Sequence, residues 1–348
     1  MILADKLKLL QPFGLAIGSV LGLTLLLGCS VSEGPKIEAV TGLSMGTSYT
    51  VKWVNPKEGV PHDVSSGVAA ELKRIETSMS TYMDASDLSG FNGAAVNQWH
   101  SVPQAMANLV AQSLELSQQT NGAFDITLGP LVDLWGFGPD PIPDQIPSQD
   151  ALEALRPVVG YQLLQVRQQP PAMLKHADST IDLSAIAKGY GVDVVALWLE
   201  AHGVSDYLVE VGGELRAQGL KPDGSPWRIA IETPSVTAGQ VYQVLKVSDI
   251  AVATSGNYRN YYEKGGVRYS HTLDPNTLSP VTHHLASVTV IDASAARADA
   301  LATALMVMGG EKGVTWATMH QVPAYFIMKK SNGFVAQSTA GFNSYLEN

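Results

Sequence analysis

The stretch "RADALATAL" (297–305) sets Asp299 and Thr303 four residues apart inside an apolar run. At roughly 100° per residue these two oxygen-bearing side chains share a helix face, with Leu301, Leu305 and Met308 nearly opposite. The run goes on to Gly309-Gly310, which reads as a glycine stop at a helix C-terminus. Two hard oxygens on one face suit Mg²⁺ or Ca²⁺ rather than zinc or copper. They equally suit an acid near a helix start and a threonine bonded to its own backbone. "IDLSAIAKGYGVD" (181–193) places Asp182 at a helix start and Lys188 about one and a half turns further on. Asp182 can cap and Lys188 can be solvated. Alternatively, the small turn Ala185-Ile186-Ala187 admits a ligand to the backbone, and the lysine beside it suits phosphate charge.

"NGAFDITLGPLVDLWGFG" (121–138) holds Phe124 beside Asp125, and Trp135 and Phe137 among glycines, off any regular period. It is either a turn-rich core segment or a wall for a flat ring, with Asp125 accepting from a ring or ribose donor. "SGNYRNYYEKGGVRYSHTLDP" (255–275) gathers Arg259, Arg268, Tyr258, Tyr261, Tyr262 and His271. A polar strand end accounts for it structurally, yet His271 titrates near neutrality and is the best general base by type. The other histidines lack metal-ligand spacing, and His283-His284 read as loop residues. "GLSMG" (42–46) matches the G-x-S-x-G elbow of serine hydrolases, which needs a helix immediately after it. An alternating strand, Thr47 to Trp53, follows instead, so Ser44 is not read as a nucleophile. No phosphate-binding P-loop, dinucleotide G-x-G-x-x-G or H-E-x-x-H occurs.

The elements around these motifs are mixed. "TSYTVKWV" alternates as a strand, with "NPKEGVP" as the turn after it. Helices are expected from Val64 to about Ser78 and from Pro103 to Gln119, the second ending before Asn121-Gly122. "GFGPDPIPDQIPSQD" is a proline-rich loop, followed by a short helix before "GYQLLQVRQ". "TIDLSAIAKGYGVDVVALWLEAHG" reads as a strand end running into a long helix stopped by Gly203. "DYLVEVGGELRAQG" and "WRIAIETP" read as paired strands, and "YQVLKVSDIAVATSG", "YSHTLDP" and "LASVTVIDA" as further strands. Without a regular strand–helix alternation, the class is α+β rather than doubly wound.

The 348 residues carry a formal charge of −10, with 45% hydrophobic and 16% charged residues. That is globular composition, and it offers no basic field for nucleic acid. The single cysteine excludes internal disulfides and cysteine-based zinc sites. It stands at the end of a leader with Lys6, Lys8 and an uncharged apolar stretch, a secretory layout. Leu26-Leu27-Gly28-Cys29 resembles the bacterial lipoprotein signal, in which the cysteine is lipidated after cleavage. The stretch is also long enough to be an uncleaved anchor. The expected organisation is a signal peptide (1–28), a lipid-anchored tether (29–39) and a folded domain (40–348). The folded part is expected on the periplasmic side of a bacterial membrane, with Ser30 pointing to the outer membrane.

The motifs "MGTSY", "STYMDASDLSGFN", "GAFDITLGPLVDLWGFG", "DLSAIAKGYGVD", "YLVEVGGEL", "ATSGNYRNYYE", "RYSHTLDP" and "ADALATAL" follow one another in order. Together they resemble the ApbE family of flavin transferases, from about Leu43 to Leu346. The resemblance implies a two-lobed domain of largely antiparallel sheets with packed helices. It implies Mg²⁺-dependent use of FAD, release of AMP, and attachment of FMN to a threonine or serine of a target protein. Targets in such a family include subunits of sodium-pumping or electron-transport membrane complexes. By the same resemblance Asp299, Thr303 and the carbonyl of Ala185 hold the metal. Met45, Tyr82, Ala123, Phe124, Asp125, Asp182, Lys188 and His271 fall on FAD-binding positions, and His271 and Lys188 take catalytic roles. Leu278 stands where the family usually has glycine, and Gly90 where a larger residue is common. Two other readings use the same site: hydrolysis of FAD to FMN and AMP, and a non-catalytic FAD-binding lipoprotein.

Overall fold

Alternation of β-branched and aromatic residues with polar ones decides where the central strands run. In β2 (Thr47–Val54) Tyr49, Val51 and Trp53 point inward and are buried. A computed structural model describes residues 35–56, 59–60, 63–138, 145–235, 239–258 and 260–347. Cys29, the leader and most of the tether lie outside the described residues, as does part of the proline-rich loop. The main sheet has eight strands: β1 (Ile37–Ser44), β2, β3 (Tyr207–Val211), β4 (Glu214–Gln218), β5 (Ile250–Gly256), β6 (Leu285–Asp292), β7 (Ala324–Lys330) and β8 (Gly333–Ser338). They lie side by side in chain order, and every neighbouring pair is antiparallel. The α+β class is therefore observed.

Several local expectations shift. The tether is shorter than residues 29–39, because Ile37 already pairs with Val54 in β1. Met45 and Gly46 join β1 to β2 with φ of 52° and 71°. Two left-handed residues make the tight hairpin turn that matches strand twist, so Ser44 ends a strand and no helix follows it. Residues 180–183 are not a strand. "WRIAIE" does not join the "YLVEV"/"ELRAQ" hairpin; Trp227–Glu232 pairs with Val241–Val247 in a separate two-stranded sheet.

Two long helices lie against this sheet, α6 (Ser184–Ala201) and α7 (Ala295–Met319). Five others precede them: α1 (Val64–Met79), α2 (Asp87–Asn92), α3 (Gln104–Gln119), α4 (Gly129–Leu134) and α5 (Gln149–Leu155). Asp63 opens α1 by accepting the Ser65 N–H, and Val68, Leu72, Ile75 and Met79 form its buried stripe. The first half of α7 is not two-faced as its period suggests. Leu301 and Leu305 are buried, but so are Asp299, Ala300, Ala302 and Ala304, because the helix is sunk between the sheet and α6. Gly309, at φ 79°, does end a helical run, but the chain re-enters helix directly and continues to Met319. His283 serves that break. Its Nε2 donates to the Met306 carbonyl at 2.7 Å, filling an acceptor the helix end leaves open.

Candidate active site

The site begins with the contact between α6 and α7. A Cβ on Gly189 would sit 2.2 Å from the Ala295 carbonyl oxygen, so only glycine allows the helices this close. Asp193, one turn further along α6, locks the approach. Its carboxylate accepts from the N–H groups of Ala295 and Ala296, each at 3.0 Å, and from the Ser294 hydroxyl at 2.8 Å. Asp299 is thereby brought against α6, and its Oδ2 accepts the Gly189 N–H at 3.1 Å. That N–H is the one a regular helix would give to the Ala185 carbonyl.

Lys188 lies between two buried acids, with Nζ 3.6 Å from Asp299 Oδ2 and 3.6 Å from Glu214 Oε2. Burial alone would lower the lysine pKa, but the two carboxylates outweigh it and hold the ammonium above its usual value. Burial pushes both Asp299 and Glu214 upward, against the lowering influence of Lys188. Glu214 was not a sequence candidate. The signal was the hairpin register: across the Gly212-Gly213 turn Glu214 pairs with Val211, which belongs to the buried face toward the helices.

Thr303, one turn beyond Asp299, has Oγ1 3.3 Å from Ser255 Oγ on β5. The Asp299 carboxylate, the Thr303 hydroxyl and the first turn of α6 at Ala185 border one cavity of about 1260 Å³. These are hard oxygens from three sources, and the Ala185 carbonyl has its ordinary helical donor shared with Asp299. The donor set fits a cation such as Mg²⁺. Among the described residues no cluster of three or more His, Cys, Asp or Glu side chains could hold a metal, so this set depends on hydroxyl and carbonyl oxygens.

The same cavity is bordered by Met45, Tyr82, Ala123, Asp125, Asp182, Lys188 and His271. The sequence candidates thus converge, although they do not all act as expected. Phe124 reaches the lining but is only 1% exposed, and Trp135 is 3% exposed, so both back the wall rather than face a ring. Phe137 and Tyr258 border the space instead. Asp125 is largely committed: Oδ1 accepts from the Thr127 N–H and hydroxyl at 2.8 and 2.6 Å, and Oδ2 from the Tyr161 N–H at 2.8 Å. Asp182 accepts the Ser184 N–H at 2.7 Å, a local turn two residues before α6 begins, while Leu183 rather than Asp182 occupies the N-cap. Glu76 on α1 accepts the Met45 N–H and so fixes the hairpin tip at the cavity edge. Asn92 clamps the segment before Asp182, exchanging hydrogen bonds with the Ile181 backbone at 2.9 and 2.8 Å. Fully buried Lys175 holds that clamp by donating to the Asn92 carbonyl at 2.6 Å.

His271 also borders the cavity, on the segment that follows the two-stranded hairpin Tyr261–Lys264/Val267–Ser270. Its Nδ1 lies 2.9 Å from the Asn260 carbonyl, which can only accept, so Nδ1 carries the hydrogen and Nε2 keeps a lone pair. Burial lowers its pKa, and the Lys188 charge adds to that, so the ring is neutral near pH 7. Phe137 meets the ring edge-on at 6.5 Å and is itself backed by Tyr262 at 5.4 Å. Arg268 is occupied over Tyr261 and against the Asn257 carbonyl, away from the phosphate-binding role its charge allows. Arg259 lies outside the described residues.

A family model described as the ApbE family matches residues 45–326. The chain belongs to the ApbE family. A FAD:protein FMN transferase from Vibrio cholerae is 41% identical over 93% of this chain and 96% of its own length. One from Escherichia coli K12 is 37% identical over 92% and 93%. The crystal structure of the Pseudomonas stutzeri flavinyl transferase ApbE, in its apo form, superposes with a TM-score of 0.83 at 44% identity, covering 90% of this chain and 98% of that one.

Both departures from the usual ApbE pattern have a physical account. Leu278 has φ of 55°, the left-handed region where glycine is ordinary. Its side chain is 1% exposed among Leu131, Trp135, Leu152 and Leu273, and its carbonyl accepts from the Trp135 indole at 3.0 Å. Apolar burial offsets the backbone strain. A Cβ on Gly90 would meet nothing within 4 Å, and the residue borders a separate small pocket rather than the main cavity.

Proposed function

We propose that this protein transfers the FMN moiety of FAD to a threonine or serine hydroxyl of an acceptor protein, releasing AMP. What carries this reading is the convergence of Asp182, Lys188, His271, Asp299 and Thr303 on one cavity of about 1260 Å³ in an ApbE-family chain. Asp299, Thr303 and the Ala185 carbonyl would hold Mg²⁺. When bound, the ion supplies charge neutralisation for a pyrophosphate. Lys188 places a second positive charge beside the phosphates, and the Met45, Phe137 and Tyr82 edges bound the space for the flavin. His271 Nε2, 6.5 Å ring to ring from Phe137, takes the hydroxyl proton as the acceptor oxygen bonds to the flavin-side phosphorus. The phosphorus–oxygen bond toward AMP breaks, and its electron pair leaves with AMP.

The test is mass spectrometry of a co-expressed acceptor for added FMN, with AMP measured with and without acceptor. AMP that depends on the acceptor supports transfer. Equal AMP in both would make the protein a hydrolase of FAD, and retention of FAD without AMP a carrier. The acceptors this reading favours are subunits of sodium-pumping or electron-transport membrane complexes, reached from a lipid anchor at Cys29 on the periplasmic side. Cys29→Ser should abolish lipidation; normal membrane-bound mature protein in that variant would overturn the anchor.

A further inference from the structure

Glu214 is buried, 3% exposed, and its Oε2 accepts no hydrogen bond from the described residues. A carboxylate withdrawn from water in this way is strongly unfavourable unless a charge is matched to it. The charge facing it is Lys188 Nζ at 3.6 Å, and that ammonium is shared with Asp299 Oδ2 at the same distance. The lysine stem is held as well. A Cβ on Gly212, just before Glu214, would come within 3.0 Å of Lys188 Cδ, so the turn lies directly along the side chain. Gly212 is itself pinned to β2, its N–H donating to the Ser48 carbonyl at 3.0 Å.

Lysine and a divalent cation want the same thing from Asp299. An ammonium fully paired with that carboxylate competes with a cation for it, and the two positive charges repel. We propose that Glu214 is a positioning residue of the transfer site, holding the Lys188 ammonium on the β4 side so that Asp299 is left to a divalent cation. The inference rests on the cation site proposed above. Glu214 thus acts through Lys188, not on the reacting atoms.

The decisive measurement is Mn²⁺ binding to the FAD-free full chain, read from the free-Mn²⁺ spin-resonance signal, with Mg²⁺ titrations of AMP release alongside. Asp299→Asn should abolish Mn²⁺ binding; if it binds like wild type, the cation site itself is wrong, whatever Glu214 does. Glu214→Gln should weaken Mn²⁺ binding on the order of tenfold, the usual scale of a coupling between sites. The Mg²⁺ needed for half-maximal AMP release should rise by the same factor, with a smaller change at saturating Mg²⁺. Glu214→Asp keeps the charge and should recover most of the affinity. In a Lys188→Met background, Glu214→Gln should lose most of its effect, because the group it positions is gone. An undiminished tenfold effect there would make Glu214 a direct ligand and overturn the proposal. So would unaltered Mn²⁺ affinity with only a lower melting temperature, the mark of a packing role.

Discussion

The two walls of the cavity are built on different principles. On one side Lys188, Asp299 and Glu214 stand on α6, α7 and β4, rigid elements brought together by the glycine contact at Gly189 and the Asp193 cap. On the other, His271 lies outside the main sheet, its backbone N–H and its Nδ1–H both donating to the Asn260 carbonyl, at 3.2 and 2.9 Å, with the edge of Phe137 against the ring. The charged wall needs low dielectric and fixed distances, because its groups must neutralise phosphate without reorganising. The histidine wall needs a single correct tautomer and access for a second, macromolecular substrate. Each wall can be broken separately, and the outcomes should differ in kind.

The largest effect is expected on the histidine wall. His271→Ala should slow acceptor-dependent AMP release on the order of 10²–10⁴-fold, as loss of a general base does. FAD affinity, measured by flavin fluorescence, should change much less; equal losses would move His271 into the binding wall. On the charged wall, Asp299→Ala should cost on the order of 10²–10³ in rate at fixed Mg²⁺, the range for a lost electrostatic group. Excess Mg²⁺ should rescue part of it. Thr303→Val keeps shape and deletes one neutral oxygen, so the Mg²⁺ requirement should rise only about tenfold, roughly 1.4 kcal/mol. Unaltered Mg²⁺ curves for both variants would place the cation elsewhere.

Smaller effects sharpen the contrast. Leu278→Gly relieves a left-handed backbone strain of roughly 1–2 kcal/mol but leaves a cavity worth roughly 2–5 kcal/mol. A net loss of about 2 kcal/mol in denaturant unfolding is expected, with transfer nearly unchanged. Greater stability would show that Leu278 is tolerated rather than useful. The pH response of His271 follows from its lowered pKa. The neutral ring is the base, so transfer should hold through neutrality and fall by roughly tenfold per pH unit only below its lowered pKa, under the usual 6.5. For stability the sign is the same. The unfolded chain takes up the proton first, so the contribution is intact above about 6.5 and is lost as pH falls through the folded value. A rate falling already between pH 8 and 7 would rule out a desolvated His271 as the base.

Sequence by itself determined much of this protein. Strand alternation and helix period placed β2, α1, α3 and α6, and the ordered motifs brought Met45, Tyr82, Ala123, Asp125, Asp182, Lys188, His271, Asp299 and Thr303 to one cavity. Those signals are local, carried by side-chain period and by glycine and proline at turns. It misled where neighbours decide. The period of α7 set Asp299 and Thr303 on a face opposite Leu301 and Leu305, but packing on both sides buried most of the helix, and Asp299 met an N–H of another helix. Trp135 looked like a wall for a flat ring and instead holds the Leu278 carbonyl. Glu214 was missed: the hairpin register puts it on the face of Val211, but nothing in "VGGEL" states that Lys188 lies on that side. Only the tertiary structure decided that, since one residue of register would put the acid on the other face, and burial beside an ammonium exists only once β4, α6 and α7 have met.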